Sequence, residues 1–235
     1  SLKKGKGYFT ILLLTLIALF IFRPYERSGI YLAIWQLALI GVYISAVFSC
    51  NHTKRFRTVA FFTGACSLVS QLFNLAYPTY VGTFIFLMLT TLFLFGTTSA
   101  ILKKVVVTAR VKLETLQGVI CAYFMLAFGF SFAYTLTLFV FPDSFDFSGL
   151  DHQNLTHLHI LSELMYFSFV TILCIGYGDI VAASDFAKTL AIMEGVVGQF
   201  YIAMLVSRLV AVYSYFENKL YTVKTKRETK KQDHS

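Results

Sequence analysis

The chain has 235 residues, of which 57% are hydrophobic, 17% aromatic and 14% charged, with a formal net charge of +8. This is too apolar for a water-soluble globule of that length and points to a polytopic membrane protein. The positive charge does not indicate a nucleic-acid partner, because lysines and arginines fall in short clusters between apolar runs and leave no basic face to follow a phosphate backbone.

Lys3, Lys4 and Lys6 precede an apolar run from Gly7 to Phe22. Lacking a small-x-small cleavage site, this run is expected to be an uncleaved anchor of roughly 24 Å, with Tyr8 and Tyr25 as interfacial anchors. A second span is predicted over about 30–49, ending in the basic patch His52, Lys54, Arg55 and Arg57. A third covers about 58–76, and the Tyr77-Pro78 turn separates it from a fourth at about 79–102, followed by Lys103, Lys104, Arg110 and Lys112. The fifth span occupies about 115–141.

Residues 142–159 form a polar segment with Asp143, Asp146, Asp151, His152, His157 and His159 and no lysine or arginine. From Ile160 to Leu173 the chain turns apolar and aromatic again, too short a run to cross a bilayer core of about 30 Å, so a re-entrant helix is expected. Glu163 is predicted near the start of that helix, where the positive end of the macrodipole favours an anion. A last span runs over about 186–215, and the tail beyond carries Lys219, Lys224, Lys226, Arg227, Lys230 and Lys231. That tail is too polar to build a core and is expected to be frayed at the cytoplasmic side.

With the amino terminus cytoplasmic, the basic residues at 3–6, 54–57, 103–112 and in the tail all lie inside, against Arg23, Arg27 and Lys188 outside. The positive-inside rule therefore predicts a multi-pass cell-membrane protein with both termini cytoplasmic and the acidic 142–159 segment outside. Cys50, Cys66, Cys121 and Cys174 show no CxxC or metal-ligand spacing and are expected to be free thiols. No nucleophile and base array suggests an enzyme.

Between the re-entrant helix and the last span stands Thr171-Ile172-Leu173-Cys174-Ile175-Gly176-Tyr177-Gly178-Asp179. The glycines allow backbone angles that a Cβ resists, so successive carbonyl oxygens can face one side and replace the hydration shell of a cation. The stretch resembles the T-x-G-Y-G-D signature of potassium channels, with Cys174 where that family has threonine. The resemblance implies an all-α membrane protein of six transmembrane helices plus a re-entrant pore helix and an extended filter, assembled as a homotetramer around a central pore. It divides the chain into a four-helix domain at 1–112, a pore domain at 113–216 and a basic tail at 217–235. It also implies K+ held at Cys174, Ile175, Gly176 and Tyr177, with Gly178 completing the filter and no organic cofactor. Tyr166, Phe167, Thr171 and Asp179 take the family's filter-supporting positions, and Val170 stands where some relatives carry a buried glutamate, removing one partner of Asp179. Tyr177 is expected to turn away from the pore axis and pack against the pore helix.

In the last span Gly195 and Gly198 are hinge candidates, packing by small residues being the alternative. Glu194 is an intramembrane carboxylate: a functional group, a hydrogen-bonded support behind the pore helix, or a group hydrated near the outer face. The fourth span has no arginine at three-residue spacing, so the 1–112 domain resembles a voltage sensor without its charges and steep voltage gating is not expected. Besides the lipid bilayer itself, anionic lipid at the basic tail is a candidate partner. A weakly selective K+/Na+ channel and a non-conducting partner subunit are the alternatives to a potassium-selective pore.

Overall fold

The computed structural model describes residues 8–21, 40–41, 54–77, 79–107, 113–147 and 157–232. Most of the second predicted span, His52 of the basic patch, Pro78, Asp151 and His152 lie outside these residues, as do residues 108–112 with Arg110 and Lys112. The described elements are α1 (Tyr8–Ile21), α2 (Lys54–Ala76), α3 (Tyr80–Val107), α4 (Leu113–Val140), β1 (Phe145–Phe147), α5 (His157–Ile172), β2 (Ile180–Ala182) and α6 (Asp185–Gln232). Among the described residues three helices are long and apolar enough to cross a membrane, at Tyr80–Lys103, Gln117–Val140 and Asp185–Ser207.

The chain forms two compact units, Ser1–Gly198 and Gln199–Ser235. In the first, α4 is the centre, packing on α3, α5 and α1, while α2 packs on α3. The reason lies in its side chains. Phe128, Phe130, Phe132 and Tyr134 are all nearly fully buried, and they point to different neighbours. Phe130 meets Phe95 of α3 edge-on at 5.1 Å and Phe132 meets Phe86 at 6.1 Å. Phe128 contacts Phe169 of α5 at 5.6 Å and Tyr134 contacts Phe167 at 5.1 Å. Edge-to-face rings at such distances add about 0.5–1.5 kcal/mol per pair beyond the area they bury. Between α2 and α3 the tie is polar, a 2.7 Å hydrogen bond linking the Ser67 and Thr90 hydroxyls.

Pro142 cannot donate a backbone hydrogen bond, and α4 stops just before it, at Val140. The segment that follows is not wholly irregular: it adds a short strand to a chain that is otherwise mostly helical. Phe145, Asp146 and Phe147 alternate buried, exposed, buried, the period of a strand. They pair antiparallel with Ile180–Ala182 in the register Phe145 to Ala182 and Phe147 to Ile180. The Ser144 carbonyl extends the tie by accepting the N–H groups of Ala183 at 2.8 Å and Ser184 at 3.3 Å.

Ser184 then caps α6, its hydroxyl accepting the Ala187 N–H at 3.2 Å, and Asp185 lies in the first turn where the helix dipole favours an anion. Helix α6 continues to Gln232, well past Tyr215. The expected frayed tail is therefore helical, because after Gly198 the sequence holds neither glycine nor proline to stop it and its lysines, arginine and glutamate are good helix formers. The second unit, taken alone, is the part of α6 from Gln199 onward, with Phe200, Met204, Val206, Val210 and Tyr213 exposed.

Candidate functional site: a short buried helix and the segment after it

Helix α5 has 16 residues, about 24 Å, and does not reach across a bilayer core of about 30 Å. It starts at His157, three residues earlier than predicted, and this moves Glu163 into the second turn; the first turn carries no acidic residue. Its own-chain face is packed against α4. Leu164, Met165, Ser168 and Ile172 have essentially no exposure, and Phe169 contacts both Phe124 and Phe128.

The helix unwinds through three backbone hydrogen bonds. Leu173 N–H donates to Phe169 O at 3.1 Å, Cys174 N–H to Thr171 O at 2.9 Å and Ile175 N–H to Val170 O at 2.9 Å. Beyond this point the backbone alternates. Cys174, Gly176 and Gly178 have φ of 55°, 63° and 79°, while Ile175 and Tyr177 between them do not enter the left-handed region. In an ordinary strand successive peptide units face opposite ways; a left-handed residue at every second position turns each alternate unit back, so neighbouring polar groups line up on one side. Two of the three positions are glycine, for which the conformation costs little. Cys174 carries a Cβ and adopts it nonetheless, at a cost on the order of 1–2 kcal/mol.

The expected supporting residues divide by side. Phe167 turns inward, wedged between Tyr134 at 5.1 Å and Phe145 at 5.5 Å. Tyr166 turns toward the unwound segment, its ring parallel to that of Tyr177 at 6.5 Å and its hydroxyl donating to Asp179 Oδ2 at 2.7 Å. Asp179 Oδ1 accepts the N–H of Ile180 at 3.1 Å. Val170 contributes no polar side chain, so Tyr166 is the side-chain donor that holds Asp179. Thr171 is half-buried and acts through its carbonyl on Cys174. Tyr177 touches α5 at Tyr166 yet stays 70% exposed in the single chain, and Ile175 is 47% exposed.

Glu194 is fully buried, which removes the reading of a carboxylate hydrated near the outer face. It lies behind α5, where Tyr134 of α4 donates to Oε2 at 2.5 Å and Ser168 of α5 contacts Oε1 at 2.5 Å. Ser168 Oγ also lies 2.7 Å from the Ala127 carbonyl oxygen of α4. A further tie runs from Tyr123 of α4, whose hydroxyl donates to Ile172 O at 3.2 Å, at the end of α5. Tyr123, Tyr134 and Ser168 were not singled out from the sequence. A signal for them existed, since a carboxylate inside a membrane needs O–H or N–H donors on the helices beside it.

The glycines of α6 separate as well. A Cβ on Gly198 would lie 2.6 Å from Ile172 Cγ1 and 2.8 Å from Ile172 O, so close approach to α5 requires glycine there. A Cβ on Gly195 would meet nothing within 4 Å. Among the described residues, no group of three or more His, Cys, Asp or Glu side chains is arranged to hold a metal. Cys66, Cys121 and Cys174 are free thiols, and Cys50 lies outside the described residues.

No curated protein and no solved structure matches the chain. The sequence model of a family described as ion channel matches residues 119–215, from within α4 through α5 and the unwound segment into α6. Under half of the chain is covered, and over that part the protein is similar to ion channels, with a domain suited to passive ion conduction across a membrane.

Proposed function

We propose that the chain is the pore-forming subunit of a homotetrameric potassium channel, with α4 as outer helix, α5 as re-entrant pore helix, Cys174–Gly178 as filter strand and α6 as inner helix. The observation that carries this reading is the left-handed backbone at Cys174, Gly176 and Gly178, every second residue directly after a short buried helix. Such a strand presents carbonyl oxygens to an axis, and four copies around that axis replace the water of a desolvated K+. K+ is the substrate, coordinated by main-chain oxygens of Cys174, Ile175, Gly176 and Tyr177. The exposure of Ile175 and Tyr177 in one chain supports assembly, since neighbouring copies cover these side chains in a tetramer.

In this reading the six-crossing plan, cytoplasmic termini and outward-facing 142–159 segment follow the distribution of lysine and arginine. Weak voltage dependence follows the absence of arginine from residues 79–102. The basic end of α6 is the candidate contact for anionic lipid. Of the two hinge candidates, Gly198 has a packing reason to be glycine, and Gly195 is the one for which packing within the chain supplies none.

One observation favours a second reading, a weakly selective cation pore. A thiol at position 174 is a softer and poorer oxygen-substitute for K+ than a hydroxyl, so the innermost site is weakened. Purified protein in liposomes separates the readings. Potassium-driven flux with a reversal potential that follows K+ and ignores Na+ supports the first; a reversal potential that follows both ions supports the second. No flux of either ion overturns both in favour of a non-conducting partner subunit.

A further inference from the structure

The buried contacts behind α5 allow a count of protons. Ser168 Oγ lies within hydrogen-bond distance of Ala127 O and of Glu194 Oε1, and Tyr134 Oη within that of Glu194 Oε2. Each of these three contacts needs one hydrogen. The Ala127 carbonyl can only accept, so it takes the single hydrogen of the Ser168 hydroxyl. The Tyr134 hydroxyl supplies the second. An ionised carboxylate supplies none, which would set Oε1 against the Ser168 oxygen with no hydrogen left between them.

The charge environment agrees with the count. Glu194 has no exposed surface; among the described residues the titratable groups facing it from the elements packed around it are the Tyr134 and Tyr123 phenols, and no basic side chain pairs with it. An isolated buried anion is costly, and a neutral acid that both donates and accepts is not.

Resting on the channel reading of this region, we propose that Glu194 is a positioning residue held as a neutral carboxylic acid, donating from Oε1 to Ser168 and accepting from Tyr134 at Oε2. The chain of hydrogen bonds then runs in one direction, Glu194 to Ser168 to the Ala127 carbonyl, and joins all three helices of the pore region within a single chain. It fixes α5 laterally one turn before Ile172, close to where the filter strand begins. It also adds no negative charge beside the conduction path, so cation preference is left to the filter itself.

The test is an infrared spectrum of the full-length protein in lipid, read in the carboxylic-acid C=O region. The wild type is expected to show an acid band that is lost in Glu194→Gln and moves to higher frequency in Tyr134→Phe, which removes the donor to Oε2. Spectra identical in this region for wild type and both variants would overturn the proposal. If Glu194→Gln does not accumulate, Tyr134→Phe alone decides, because the band either moves or it does not. The functional arm uses the conservative variant: glutamine can donate to Ser168 and accept from Tyr134, whereas leucine can do neither. Potassium flux is expected to fall about tenfold in Glu194→Leu and to be largely recovered in Glu194→Gln. Equal loss in both variants would mean that the negative charge is what matters and would overturn the proposal. Absence of K+ flux in the wild type removes the channel reading and leaves the infrared result standing on its own.

Discussion

The two sides of α5 differ in what completes them. On the side facing α4, Leu164, Met165, Ser168 and Ile172 are buried within a single chain, and hydroxyls from Tyr123, Tyr134 and Ser168 engage the helix end and Glu194. The other side belongs to the segment that follows the helix, where Leu173, Ile175 and Tyr177 are 48%, 47% and 70% exposed and the backbone carries three left-handed residues. The first side is finished by folding. The second presents apolar side chains and oriented peptide groups, which in the proposed channel take their partners from ions and from other copies of the chain. Substitutions on the two sides are therefore expected to fail differently, the first in stability and the second in conduction.

The largest effect is expected at Gly176 and Gly178. A Cβ at either position would meet nothing within 4 Å, so the penalty for alanine lies entirely in the left-handed backbone. That penalty is roughly 1–2 kcal/mol per residue, and the proposed fourfold assembly would incur it four times at one ring. Gly178→Ala is expected to abolish potassium flux while leaving the helical content measured by circular dichroism unchanged. Retained selective flux would break the comparison at its functional end.

Gly198→Ala tests the packed side. Its Cβ would press against Ile172 O at 2.8 Å, a backbone atom that cannot rotate away, so a destabilisation of about 1–3 kcal/mol is expected. Gly195→Ala, three residues earlier on the same helix, has open space in the chain and gains helix propensity of up to about 1 kcal/mol. Thermal unfolding in detergent should separate the two in opposite directions. If Gly195→Ala also destabilises, another copy of the chain lies against that face, and comparing detergents that keep or split the assembly would show it.

The sequence made most helix positions legible because apolar runs in a membrane protein mark their own ends. The predicted 115–141 span became Leu113–Val140, and the re-entrant 160–173 run became His157–Ile172. The alternating backbone was legible at Gly176 and Gly178 from glycine alone, but the same conformation at Cys174 was not, since nothing in a cysteine announces a positive φ. The strand at Phe145–Phe147 was hidden for a different reason. Three residues cannot display a period convincingly, and its partner lies beyond the unwound segment, so pairing depends on how α5 returns the chain. Glu194 could be picked out as a charge among apolar residues, yet its partners Tyr134 and Ser168 lie on other helices and look like ordinary residues of their own runs.

Cys174→Thr sharpens the comparison on the side proposed to conduct. A hydroxyl is a harder and more compact donor than a thiol, so occupancy of the innermost site by K+ should rise and single-channel current with it. Acting against this, threonine is branched at Cβ and position 174 has φ of 55°, where branched residues fit worst. The expected net effect is a modest gain in current accompanied by slightly lower thermal stability. Equal currents in both forms would mean that the side chain at 174 does not take part in coordination.

The smallest effect is expected at the junction of the two sides, where Tyr166 on α5 donates to Asp179 after the proposed filter. The bond is exposed, so Tyr166→Phe should cost no more than about 1 kcal/mol, the usual net value of one such hydrogen bond. Its signature should lie in ion dependence. A filter that binds K+ only in its native form is stabilised as K+ is raised, by an amount set by its affinity. If Tyr166 holds Asp179 and with it the outer end of the strand, the phenylalanine variant starts from a looser strand and binds K+ more weakly. The thermal midpoint of Tyr166→Phe should then rise less steeply with K+ concentration than that of the wild type, although the two chains differ by a single oxygen. Parallel curves displaced by a constant amount would instead assign the hydrogen bond to general stability and place it with the packed side of α5.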